Sequence, residues 1–240
     1  MSSKGRRRHV IGVDGCRDGW LYVRRDLHSE GLAAGFVTSF AKLVHLRPQP
    51  AVLAIDVPIG LPSAGARDCD HLARSLLGRP RGTSVFPAPI RPALAARSWE
   101  EACRVTERAD GRRISKQTWA IVRKIGEVDS LLANSPSLQR RVREVHPEVS
   151  FFLMNGGKPI RHGKKERAGL RARAQLIGRW LGDVLDGLRA QLPPAGWAYE
   201  DLLDACAALW SASRIAEGKA ISLPQHPPVD ASGLRMEIVA

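Results

Sequence analysis

The chain has 240 residues and 44% apolar residues, enough for one large domain with a real core. Lys and Arg outnumber Asp and Glu by 37 to 24, a formal +13, which favours polyanionic partners such as nucleic acid or phosphorylated ligands. Aromatics at 5% argue against a base-stacking platform for single strands, and four scattered cysteines without a CxxC pair argue against a zinc knuckle or a disulfide framework.

Residues 1–8 carry "KGRRR" but lead into no long apolar run. They read as a solvated basic tail rather than a signal peptide. With no bilayer-spanning run and unpaired cysteines, the expected setting is a reducing cytoplasm, with no membrane partner. "HVIGV" reads as a buried strand from His9 to Val13, ending at Asp14-Gly15. "WLYVRRD" and "LAAGFVTS" read as a second and third strand, close enough for antiparallel pairing. "SFAKLVHL" is a short helix with Ser39 as its N-cap, and "AVLAIDVPIG" is a fourth strand, buried on both faces and ending in Asp56. A strand reached through a helical crossover can lie parallel to the first. Asp14 and Asp56 then share the C-terminal edge, where ligands bind in open α/β sheets.

Residues 61–98 form a long insert, irregular and basic, with a helix in "ARDCDHLARSLLG" stopped by Gly78. Ile114, Ile121, Ile125, Val128 and Leu132 recur at helical spacing within "ISKQTWAIVRKIGEVDSLLA". "RVREV" reads as a strand up to His146, followed by a helix from Pro147. A long helix is expected over Leu170–Leu192, then another from Tyr199 to Glu217. Residues 224–240 are a Pro-rich segment whose "LRMEIVA" can close a sheet edge.

"YEDLLDACAALWSA" opens with Glu200, Asp201 and Asp204. Acids in a first turn offset the helix dipole. Asp201 and Asp204 are three apart, however, and their face continues into Ala205, Ala208, Leu209 and Ala212. That is a face suited to close packing, where two like charges need a positive partner. Four acids, Asp14, Asp56, Asp201 and Asp204, thus come from three elements. Such a set can hold two Mg²⁺ or Mn²⁺ ions, the arrangement of two-metal phosphodiester hydrolysis.

"GVDGCRDGW", "AIDVPIGLP", "RDCDHLAR", "SVFPAP", "SKQTWAIVRKIGEVD", "EVHPEVSFFLMNG" and "EDLLDACAALWSA" together resemble the domain of unknown function 429 family. The match runs from about Val10 to Pro224. That family is viewed as predicted nucleases with a ribonuclease H-like fold, and the acid helix is similar to that of Holliday-junction resolvases. The resemblance implies a mixed five-stranded sheet flanked by helices, one domain over 1–240, and metal ligation by Asp14, Asp56, Asp201 and Asp204.

Further candidates surround these acids. Glu144 and His146 share a face if "RVREV" is a strand; Glu144 could then reach the metals and His146 could relay a proton. Arg67, Asp70 and Arg74 share a helical face and suit phosphate binding. Arg91 in the insert, Lys116 and Lys124 on the next helix, and Lys164 and Lys165 in a Gly-flanked loop could hold a nucleic-acid strand. The expected function is a metal-dependent nuclease. The alternatives are a non-catalytic nucleic-acid or protein-binding module and an actin-like ATPase. The last lacks both a second domain copy and a phosphate loop. The sequence leaves substrate type and oligomeric state open, a dimer included.

Overall fold

The computed structural model describes residues 9–240, so the basic segment 1–8 lies outside the described residues. The chain begins with an antiparallel meander of β1 (His9–Cys16), β2 (Gly19–Asp26) and β3 (Leu32–Val37). Helix α1 (Phe40–Val44) follows, with the Ser39 hydroxyl accepting from the Lys42 N–H as the sequence predicts. It crosses to β4 (Val52–Ile55), which lies parallel to β1, and β5 (Val142–Glu144) lies parallel to β4. The sheet order is β3-β2-β1-β4-β5, a mixed five-stranded sheet consistent with the expected ribonuclease H-like fold.

Between β4 and β5 lie α2 (Asp68–Leu77), two 3-10 turns (Arg81–Ser84 and Arg91–Ala95), α3 (Trp99–Asp110), α4 (Lys116–Ala133) and α5 (Pro136–Gln139). The insert is therefore more ordered than its composition suggests. Helix α3 is absent from the sequence reading, although its signals were there: Ser98 accepts from the Glu101 N–H, and Gly111 closes the helix at φ 65.

After β5 come α6 (Pro147–Met154), α7 (Arg167–Leu181), α8 (Leu185–Arg189), α9 (Tyr199–Ala216) and a ribbon of β6 (Ser222–Leu223) with β7 (Ile238–Val239). Two expectations are corrected here. The helix read over Leu170–Leu192 breaks at Gly182, whose φ of 78 ends α7 and redirects the chain into α8. The C-terminal strand pairs with β6 rather than closing the main sheet. Glu237 ties it to Arg143 of β5 through a 2.7 Å bond.

The sheet separates two apolar layers. Ile11, Val13, Leu53 and Ile55 pack with Trp20, Phe40, Ile125 and Val128 on the α1/α4 side. Val10, Val52 and Ala54 pack with Leu202, Ala205, Ala208 and Leu209 on the α9 side. Each fully buried Leu or Ile contributes about 1.5–3 kcal/mol. The small face of α9 meets Gly12 of β1 so closely that a Cβ there would stand 2.0 Å from the Leu209 nitrogen. Alternation along β1 then puts Val10, Gly12 and Asp14 on one face, toward α9. This contact sets the height at which the N-terminal turn of α9 reaches the strand ends. Among the described residues, no helix is long and apolar enough to cross a membrane.

Candidate functional site

Asp14 lies within β1, one residue past Val13, and Asp56 directly follows β4. The β1–β4 register pairs Val13 with Ile55, and the Asp56 N–H donates to the Val13 carbonyl at 3.1 Å. The two carboxylates thus sit side by side on adjacent strands, about 4.8 Å apart at the backbone. Helix α9 delivers Asp201 and Asp204 to the same edge, and α6 delivers Glu148. All five line one cleft of about 390 Å³. Its far wall is built from the insert, with Arg81, Val85 and Phe86, and from Ile121 of α4.

Burial and charge act together on these acids. Asp14 is only 6% exposed and Asp204 only 1%. Burial, then the charges of Asp204 and Asp56, holds the Asp14 carboxyl well above the usual carboxylate range. Burial also pushes Asp56 up to about 6, with His146 pulling against it and Asp204 adding to it. Asp201 and Asp204 are raised as well, each chiefly by burial. Two of the five acids have a cation. Arg173 of α7, fully buried, pairs with Glu148. Lys164, in the loop before α7, donates from Nζ to Asp204 Oδ2 at 2.9 Å. Asp201 caps its own helix by accepting the Ala198 N–H at 2.7 Å. Asp14 and Asp56 have no hydrogen-bonded cation among the described residues. Beside them, the buried Nδ1 of His146 has no hydrogen-bond partner.

Hard carboxylate oxygens in a polar cleft suit Mg²⁺ or Mn²⁺. Among the described residues, no three His, Cys, Asp or Glu side chains are drawn together as a ready metal-binding group. The donor set fits such an ion in chemistry.

Glu144 departs from the expectation that it reaches a metal cluster. Its register partner is Ile55, so its side chain leaves the sheet on the face opposite Asp56. There it accepts two bonds from Arg67, each 2.7 Å, and a 2.6 Å bond from the Ile59 N–H. Burial pushes Glu144 up to about 7 while Arg67 pulls it down. Arg67 also donates to Asp70 at 2.6 Å and to the Ile59 carbonyl at 3.1 Å, and Asp70 accepts the Ala88 N–H. Arg67, Asp70 and Glu144 border the cleft as a buried network that ties the insert to β5, with only Arg67 Nε lacking a partner.

The remaining basic candidates do not converge on the acids. Arg74 donates to the Val85 carbonyl at 2.8 Å. Arg91 clamps Asp129 through two 2.9 Å bonds and also pairs with Asp230, joining the insert to α4 and the C-terminal segment. Lys116 lies over the Trp99 ring, outside the cleft. Lys124 donates to the Gly19 carbonyl at 2.7 Å and packs against Gly15, supporting the β1–β2 turn. Lys165 is exposed and does not line the cleft, whereas Lys164 does.

Sequence reasoning left three groups out of the site: Glu148, Arg173 and Arg81. Glu148 stands two residues after His146 in "EVHPEVSF". Its true partner, Arg173, lies 25 residues away on α7, a pairing that no local pattern signals.

The chain belongs to the family described as a protein of unknown function (DUF429), whose model matches residues 12–229. No curated relative and no solved structure matches it.

Proposed function

We propose that this member of the DUF429 family is a metal-dependent nuclease acting on phosphodiester bonds at the Asp14–Asp56 edge. The observation that carries the reading is the charge imbalance there. Asp14, buried, and Asp56, half-buried, stand side by side on adjacent parallel strands with raised carboxyls and no hydrogen-bonded cation among the described residues. Carboxyls perturbed in this way cluster at functional sites, where a ligand relieves the repulsion.

Asp14 and Asp56 would hold the ion, with Asp204 and Asp201 beside them. Bound Mg²⁺ or Mn²⁺ supplies Lewis acidity toward the phosphoryl oxygens and charge to offset the substrate. His146, with its free buried Nδ1 next to Asp56, is placed to hold or hand on a proton. Arg81, on the insert side, lines the same cleft with its buried Nε unpartnered, and is the basic group there that would meet a phosphate. The chain's excess positive charge would draw a polyanionic substrate toward the cleft. A cytoplasmic setting belongs to this reading and agrees with four buried free thiols.

Labelled DNA, RNA, hybrid and four-way-junction substrates, incubated with Mg²⁺, Mn²⁺ or EDTA, test the proposal. Cleavage should need a divalent ion and vanish in Asp14→Asn. An Asp14→Asn protein that cleaves as the wild type does would remove the assignment. Metal-independent binding that survives the substitution, with no cleavage, would favour a binding module.

A further inference from the structure

Lys164 is the one lysine that reaches the carboxylate cleft among the described residues. Its side chain is 46% exposed, so its stem crosses from solvent while its ammonium is sunk against Asp204, itself 2% exposed at the side chain. The ammonium donates at 2.9 Å to Asp204 Oδ2 and also acts electrostatically on Asp14 and Asp56. It therefore occupies the kind of position, among several carboxylates, in which a divalent cation would sit.

The charges at the cleft can be balanced pair by pair. Glu148 is neutralised by Arg173, and Asp204 by Lys164. Asp201 is partly satisfied by the N–H groups opening its own helix. Asp14 and Asp56 remain with no bonded cation, and Asp201 keeps its charge, so three formal negative charges are left. One divalent ion offsets two of them. A second would overshoot the balance and would have to displace the Lys164 ammonium from Asp204.

We infer that the site takes a single divalent ion, between Asp14 and Asp56, and that Lys164 stands where a second ion would otherwise bind against Asp204. The inference rests on reading these aspartates as cation ligands, and it replaces the two-ion arrangement expected from the sequence. Lys164 is a positioning residue on this account. It holds Asp204 in place, supplies one fixed positive charge next to the ion, and limits the number of ions.

The placement is built rather than incidental. Lys164 lies between Gly163 and the N-terminus of α7. The Gly163 N–H donates to Glu166 at 2.9 Å, and Gly169 of α7 packs so tightly on the Gly163 carbonyl that a Cβ would stand 1.9 Å from it. Arg173, one turn further along α7, anchors the same helix under Glu148. Substituting Lys164 therefore removes a charge without removing the loop's supports.

Mn²⁺ titration of the full-length protein, read by calorimetry and by electron paramagnetic resonance of bound Mn²⁺, tests the inference without needing cleavage. The wild type should bind one Mn²⁺ per chain, and Asp14→Asn should bind none. Lys164→Met should bind a second Mn²⁺, or bind the first at least about tenfold more tightly, because a neighbouring positive charge is gone. Lys164→Arg, which keeps the charge, should retain the wild-type stoichiometry. Circular dichroism melting of each variant establishes that it is folded. Two Mn²⁺ in the wild type, or folded Lys164→Met with unchanged stoichiometry and affinity, would overturn the inference. Absence of Mn²⁺ binding to the wild type would overturn it too. One bound Mn²⁺ in a protein that cleaves no nucleic acid would leave the inference standing and remove the nuclease reading.

Discussion

Two groups of buried carboxylates border the same cleft, one on each face of the sheet edge. Glu144 and Asp70 are saturated: Arg67 bonds both, and backbone N–H groups of Ile59 and Ala88 fill remaining positions. Asp14 is as buried as they are and Asp56 is half-buried, yet neither is bonded to a cation, and the Lys164 ammonium that acts on both is bonded to Asp204. A buried charge with its partners in place holds a fold together. A carboxylate without them marks a candidate functional site. The contrast divides neighbouring residues of identical chemistry into structure and candidate function.

The largest expected effect falls on the saturated group. Arg67→Met leaves Glu144 and Asp70 buried without a cation and should cost about 3–5 kcal/mol of stability in urea unfolding. A loss below about 1 kcal/mol would erase the distinction between the two groups. Asp14→Asn should do the reverse. Metal-dependent cleavage should fall at least about a hundredfold, while urea unfolding in EDTA shows stability unchanged or raised, since one repelling charge is gone. A strongly destabilised Asp14→Asn would mean that Asp14 is structural.

Dependence on pH sharpens the comparison further. The Asp56 carboxyl is raised in the fold from 3.8 to about 6, so folding favours its protonated form. The stability this contributes is complete below pH 3.8 and is lost as pH rises through about 6. In EDTA, the difference in stability between Asp56→Asn and wild type should therefore shift in favour of the variant by about 1–2 kcal/mol across that window. A difference flat with pH would show that Asp56 ionises as freely folded as unfolded. The smallest effect belongs to Lys116→Ala. Its ammonium sits 5.3 Å from the Trp99 ring centroid, away from the cleft. Stability should drop by no more than about 1 kcal/mol, with cleavage unchanged. A large loss of cleavage would bring α4 back as a substrate channel.

The sequence showed the strand ends that carry Asp14 and Asp56 because both follow short apolar runs, and runs of that kind are local. It showed α9 because its alanine face lies on consecutive turns. What stayed hidden was pairing across distance. Glu144 and Arg67 are 77 residues apart, and Lys164 and Asp204 are 40 apart. Whether Glu144 faces the acids depends on its register with Ile55, and a one-residue slip would reverse it. The basic residues of the insert and α4 looked alike in composition. Their partners, such as Asp129 and Asp230 for Arg91, separate clamps from free charges, and only the folded chain brings those partners together.

Thermal melting of wild type and Asp14→Asn, with Mn²⁺ titrated against EDTA, tests most directly whether the unpaired carboxylates are a cation site. The account predicts that Mn²⁺ stabilises the wild type, by about 2.7 kcal/mol at a hundred times its dissociation constant, and leaves Asp14→Asn unmoved. A wild-type melting temperature indifferent to Mn²⁺, or an equal rise in both proteins, would contradict it.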